Sequence, residues 1–210
     1  GDIWTTIDQT HYNGEATYLM NRREVETTGS LSVQLNGGNT VWASQKDGFS
    51  YAVLPEYTTG EVMLTAETRK TKWNKINKQN EKKKNLPAEE SIFQLHINHG
   101  QHVENGQYAY LVYAGKEKPK KAFKDLPLKV LENSTDIQAV SWGDHYIGAS
   151  FYNPKEVLKV DGAEIFVSAP CALLLEKNED NWHLTVTDAE MNKELKSIQV
   201  RTTIDISNDQ

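Results

Sequence analysis

The chain has 210 residues, enough for one or two domains with a substantial buried core. Hydrophobic residues make up 38% and charged residues 25%, and no apolar run approaches the ~20 residues that a membrane-spanning helix needs. A formal net charge of −6 argues against a general nucleic-acid binder.

Gly1 leads directly into a strand pattern with neither an initiator Met nor a signal peptide, so an excised or processed chain is expected. From there on, β signals dominate. Ile3–Asp8, Ala16–Met20, Gly29–Leu35, Val41–Ser44 and Phe49–Leu54 are short runs rich in β-branched or aromatic residues. They are separated by Asn13-Gly14, Asn36 to Gly38 and Asp47-Gly48, which supply the positive φ of tight hairpin turns. Pro55 closes one strand, and Glu61–Thr68 opens the next with Val62, Leu64 and Ala66 in alternation.

Trp73 to Asn77 (WNKIN) then leads into KQNEKKKNLPAEE, in which positions 78–84 carry four lysines and one glutamate. A polyanion patch and a solvated loop between strands both fit this composition, and the loop is favoured. Ser91–Asn98 alternates, with Phe93, Leu95 and Ile97 on one side and Ile92, Gln94, His96 and Asn98 on the other. That is the pattern of a half-buried antiparallel strand. A turn at His99-Gly100 precedes another strand over Tyr108–Tyr113.

Lys116–Pro127, rich in lysine and carrying two prolines, is the candidate linker, with a weak helical signal over Lys120–Asp125. Further strands are expected near Leu128–Glu132, Ile137–Trp142, Tyr146–Phe151, Ala163–Ser168, Ala172–Glu176, Trp182–Thr187 and Ser197–Ile206. Short strands at this spacing, divided by polar turns, indicate a sandwich.

Residues that carry chemistry are sparse. His96, His99 and His102 invite a metal site, but the spacing is wrong for a helical HExxH motif, and on a strand His96 and His99 point to opposite faces. A structural role is favoured, with His99 bonding the turn before Gly100. No GxSxG elbow and no Gly-rich phosphate loop is present. Glu89-Glu90 and Glu179-Asp180 lack the apolar neighbours that raise a carboxyl pKa for general-acid work. Cys171 is the single cysteine, so no intrachain disulfide forms; within FVSAPCALLLE it reads as a small buried hydrophobe. Five tryptophans and nine tyrosines suit carbohydrate binding through ring stacking, although core packing is the commoner use of any one of them. Trp73, beside Asn74 and the lysines, is the tryptophan least suited to complete burial.

In order, TTIDQ (Thr5 to Gln9), DGFSYAVLP (Asp47 to Pro55), WNKIN (Trp73 to Asn77), INHG (Ile97 to Gly100), YAYLV (Tyr108 to Val112), IQAV (Ile137 to Val140), GASFYNP (Gly148 to Pro154) and LTVTDAEMN (Leu184 to Asn192) resemble the C-terminal half of polysaccharide lyase family 8. These are the chondroitin, hyaluronan and xanthan lyases. The resemblance implies a parent with an N-terminal α/α toroid, a central β supersandwich and a smaller C-terminal β-sandwich. It also implies cleavage of acidic polysaccharides by β-elimination, with the C5 proton taken beside a uronic carboxylate. The family's catalytic Asn, His, Tyr and Arg lie on the toroid and a further Glu lies early in the supersandwich. None maps onto these residues, and His99 takes no catalytic role. The chain departs from the pattern in having no long helical period, and in stopping at Gln210 where members continue with more strands. A smaller sandwich, or an open strand edge that pairs with a second copy, is the expectation there.

The expected fold is therefore all-β: an antiparallel β-sandwich forming the later part of the supersandwich over residues 1 to about 115, then a smaller C-terminal β-sandwich over about 116 to 210. The expected partner is an acidic, glycosaminoglycan-like polysaccharide, without nucleic acid, membrane, cofactor or metal. Trp73, Asn74, Lys75, Lys78, Lys82, Lys83 and Lys84 are the candidate glycan contacts, with Lys72 beside them. No catalytic residue is expected, so the chain alone should be an inert scaffold or accessory contact. The alternative is a free-standing carbohydrate-binding module. Resemblance places either outside the cell or in the periplasm.

Overall fold

A computed structural model describes residues 1–12, 14–20, 23–28, 31–34, 42–45, 48–77, 85–114, 125–179 and 181–206. The chain divides into two compact units, Gly1–Asp125 and Leu126–Gln210. Both are built of antiparallel strands packed as facing sheets.

The strands described in the first unit are β1 (Ile3–His11), β2 (Glu15–Met20), β3 (Arg23–Thr28), β4 (Leu31–Gln34), β5 (Ala43–Gln45), β6 (Ser50–Val53), β7 (Glu61–Lys72), β8 (Pro87–Gly100) and β9 (Tyr110–Tyr113). One sheet runs β1-β8-β7-β4 and the other β3-β2-β5-β6-β9. Alternation explains how they meet. Val62, Leu64 and Ala66 of β7 face the same way as Phe93, Leu95 and Ile97 of β8, and all six are buried. They pack with Ala16, Ala43 and Tyr51 from the other sheet. Burying a side chain the size of Phe93 or Leu95 contributes roughly 1.5–3 kcal/mol, so this stripe stabilises the unit more than any surface contact does.

A bulge in β1 adjusts the pattern. Thr6 opposes His96, yet Asp8 opposes Leu95, leaving Ile7 as the extra residue. Ile7 packs against the core, and Asp8 comes within reach of Tyr51, whose phenol donates a hydrogen bond to it. Burial first, then this acceptor, pushes the Tyr51 phenol well above its usual range.

In the second unit the described strands are β10 (Leu128–Asn133), β11 (Ile137–Trp142), β12 (Tyr146–Phe151), β13 (Leu158–Val160), β14 (Ala163–Val167), β15 (Cys171–Asn178), β16 (Asn181–Thr187) and β17 (Val200–Thr202). A five-stranded sheet, β10-β11-β12-β15-β16, faces a three-stranded one, β13-β14-β17. Ile137, Ala139, Ile147, Phe151, Leu173 and Leu175 from the larger sheet meet Leu158, Val160, Ile165 and Val167 from the smaller. Asp161 and Gly162 both take positive φ, 46° and 84°, the requirement of a two-residue hairpin loop joining β13 to β14.

The all-β expectation holds, with several boundaries corrected. β7 and β8 extend to Lys72 and back to Pro87, because the register continues through the Lys70–Glu89 and Thr71–Ala88 pairs into polar sequence. Pro87 sits at the first position of its strand, where its missing N–H costs no ladder bond. The strand expected over Ser197–Ile206 narrows to Val200–Thr202, with an isolated parallel bridge from Ile206 to Trp182. β3 and β13 were not expected. The helical signal over Lys120–Asp125 falls almost wholly outside the described residues.

Candidate functional site

β7 and β8 pair along their length, and where β7 ends lie Trp73, Asn74 and Lys75, three of the residues singled out for glycan contact. Lys72 opposes Pro87, and Trp73–Ile76 then make one helical turn. The Trp73 N–H donates to the Leu86 carbonyl at 3.1 Å, and the Asn77 N–H donates to the Trp73 carbonyl at 2.8 Å. These bonds close the turn and tie it to Leu86, just before β8. WNKIN is thus a built corner rather than loose connection.

Three of the candidates are placed together by this corner. Trp73 is 36% exposed, Lys75 is exposed, and Asn74 is half-buried. The Asn74 Oδ1 atom is buried without a hydrogen-bond partner among the described residues. Lys78, Lys82, Lys83 and Lys84 lie outside the described residues. Exposed Ile76 and Leu86 join Trp73 at the tip. Sequence reasoning named neither as a contact, though an apolar residue on each side of a polar, lysine-rich run was the available signal.

Charge at the tip is mixed. Lys70 is paired with Glu89 at 3.1 Å, and Arg69 donates to Glu67 at 2.7 Å and to Gln94 at 3.1 Å. Exposed Lys72 and Lys75 have no ion pair among the described residues. An apolar ring beside exposed ammonium groups can stack on a sugar face while attracting an anionic chain.

The histidines do not assemble into a site. His96 is buried on the sheet face away from the core, stacked under Trp4. His99 bonds the Thr5 hydroxyl through Nε2 at 2.9 Å, a contact across the sheet rather than the expected one to its own turn. The turn expected at His99-Gly100 is instead the end of β8, which pairs through Gly100 with Ile3, and there the Asn98 Oδ1 accepts from the Gly100 N–H at 2.9 Å. His102 is exposed at positive φ. Among the described residues, no group of three or more His, Cys, Asp or Glu could hold a metal ion.

Comparison with known proteins bears on the whole chain. Residues 1–125 match the family model for the super-sandwich domain of polysaccharide lyase family 8, and residues 129–197 match that for its C-terminal β-sandwich domain. Chondroitinase-AC of Pedobacter heparinus is 31% identical over 184 residues, covering 83% of this chain and 24% of that protein. A structure of a chondroitinase AC lyase, from work on its oligosaccharide complexes, superposes with a TM-score of 0.75 at 26% identity, covering 98% of this chain and 31% of that one. The Streptomyces coelicolor chondroitin AC lyase, solved with chondroitin sulphate, matches in fold with a TM-score of 0.59 at 16% identity, over 95% of this chain and 23% of that one. The chain spans about a quarter of the length of the Pedobacter relative.

Proposed function

Because the chain belongs to polysaccharide lyase family 8, we propose that it is the non-catalytic β portion of a lyase that breaks acidic polysaccharides by β-elimination. Its role is to scaffold the catalytic region and to offer an accessory glycan contact at the β7–β8 tip. The observation that supports this most directly is the tandem match of super-sandwich and C-terminal sandwich over 1–125 and 129–197. The relatives' names supply the substrate class, chondroitin and chondroitin sulphate. A polymer of that kind is met outside the cytoplasm, which is where the chain is proposed to act.

At the tip, Trp73 is the stacking surface, and Lys72 and Lys75 are the anion-attracting groups. Lys78, Lys82, Lys83 and Lys84 add to the local positive charge in sequence. Screening at physiological salt has a length of about 8 Å, so such a contact weakens as salt rises.

Two measurements on the 210-residue chain test the proposal. Incubated with chondroitin sulphate, the chain should generate no ultraviolet absorbance from unsaturated uronate; a sustained rise would show that it is itself a lyase. Titration calorimetry with the same polymer should show weak, salt-sensitive binding. Absence of binding at low salt would remove the accessory contact and leave the scaffold alone.

A further inference from the structure

The outward face of the five-stranded sheet in the second unit has a composition that packing does not explain. Along β12 it presents Tyr146, Gly148 and Ser150, with Tyr152 just past the strand end. On neighbouring β11 lie Trp142 opposite Tyr146, Val140 opposite Gly148, and Gln138 opposite Ser150. On the other side, Leu174 of β15 opposes Gly148. Trp142, Tyr146 and Tyr152 are 43%, 45% and 56% exposed, and Val140 and Leu174 are exposed as well.

These residues make a shallow trench rather than a dome. A Cβ on Gly148 would meet nothing nearer than Val140 Cγ2, at 4.0 Å. The middle strand of the sheet is therefore bare at its centre, between Val140 and Leu174. Glycine weakens a strand and has no packing role here; it commonly marks a place where a ligand comes close to the backbone. Aromatic rings stand at both ends. Tyr146 opens β12 and Tyr152 follows its last residue, a span of up to ~20 Å at about 3.3 Å per residue. Between them the polar groups are uncharged: the Ser150 hydroxyl, and the Gln138 amide, which accepts from the Tyr152 hydroxyl at 3.4 Å.

Charge decides the occupant. No Lys or Arg lies among these face residues on β11, β12 and β15, and the formal charge there is Glu176, opposite Tyr146. An anionic chain would find no counter-charge. Apolar side chains do line the trench, Val140 and Leu174 with Val130 beside Val140, but its floor at Gly148 is bare backbone that gives another protein's side chains nothing to pack between. Flat rings at the ends, a bare floor and neutral hydrogen-bonding groups between them match an extended chain of pyranose rings. We infer that this face is a second glycan platform, distinct from the β7–β8 tip, which binds an extended neutral β-linked polysaccharide by stacking on Trp142, Tyr146 and Tyr152.

Affinity electrophoresis of the 210-residue chain through gels containing hydroxyethyl cellulose, a soluble neutral β-glucan, tests this. The chain should be retarded, and raising salt to ~0.5 M should leave the retardation unchanged, since no ion pair is involved. Trp142→Ala should weaken retention about tenfold, on the scale of one lost aromatic contact. Gly148→Leu, which fills the trench but keeps every ring, should do the same. Lys72→Gln with Lys75→Gln should have no effect, which separates this platform from the proposed tip contact. No retardation, or retardation that survives both Trp142→Ala and Gly148→Leu, would overturn the inference. So would light scattering showing a dimer that Trp142→Ala dissociates, because the occupant would then be a second copy of the chain.

Discussion

Trp4 lies almost flat on His96, with ring centroids 4.4 Å apart and planes 18° from parallel. The indole is half exposed, whereas the imidazole beneath it is 4% exposed and its Nδ1 has no hydrogen-bond partner among the described residues. Burial, and secondarily the Arg69 guanidinium, holds the His96 pKa below the ordinary 6.5. Linkage sets the sign of the effect on stability. Below pH 6.5 the unfolded chain binds a proton that the folded chain refuses, so stability is full above that pH and falls as the pH drops towards the folded pKa. Urea midpoints measured across this range should decline on acidification, and His96→Gln should flatten the decline. An unchanged slope in His96→Gln would place the acid sensitivity elsewhere.

Gly60 and Gly100 provide a matched pair in the same unit. Both have positive φ, 107° and 84°. A Cβ on Gly60 would meet the Asn98 carbonyl oxygen at 2.5 Å, while one on Gly100 meets nothing within 4 Å. Gly100→Ala should therefore cost about 1 kcal/mol from backbone conformation alone. Gly60→Ala adds a clash with strand backbone that cannot swing aside, so a local backbone shift comes on top and the total should exceed about 2 kcal/mol. Chemical denaturation of the two variants gives the comparison, and equal losses would refute the steric account.

Much of the fold was legible because burial follows the period of two. Phe93, Leu95 and Ile97 alternate with polar residues and are buried as that alternation requires. β3 was illegible for the same reason: Arg23 to Thr28 holds one aliphatic residue, Val25, and among the described residues the strand pairs only with β2, at the sheet edge. The tip was half legible. WNKIN stood out as a motif, but that Trp73 bonds back to Leu86 depends on a register set many residues away. His99 shows the same limit, since its partner Thr5 is 94 positions distant in sequence. The trench at Gly148 gave no local signal either; a glycine in GASFY becomes informative only when Val140 and Leu174 are seen on either side.

At the tip, loss of charge and loss of ring should separate. Lys72→Gln and Lys75→Gln each remove an exposed cation, so each should weaken chondroitin sulphate binding by roughly twofold at low salt, about 0.5 kcal/mol, and reduce its salt dependence. Trp73→Ala should weaken binding at every salt concentration without changing that dependence, because stacking is not screened. Calorimetry at two ionic strengths distinguishes the effects. If Trp73→Ala altered only the salt slope, the ring would not be a contact surface.

Cys171 reports on the integrity of the second core. The side chain is 3% exposed, opposite Phe151 on the neighbouring strand, and burial pushes its thiol above the ordinary 9.0. The thiolate is the reactive form, so the native chain should react with a disulfide reagent far more slowly than the urea-unfolded chain. Above pH 9.0 the unfolded chain releases a proton that the folded chain keeps, so stability should fall as the pH rises past that point. Cys171→Ser should abolish the reaction and cost about 1–3 kcal/mol by burying a hydroxyl among apolar neighbours. Cys171→Ala removes the thiol without adding a polar group and should cost less. Rapid labelling of the folded chain, or a serine variant as stable as the alanine one, would show that this core opens readily to water.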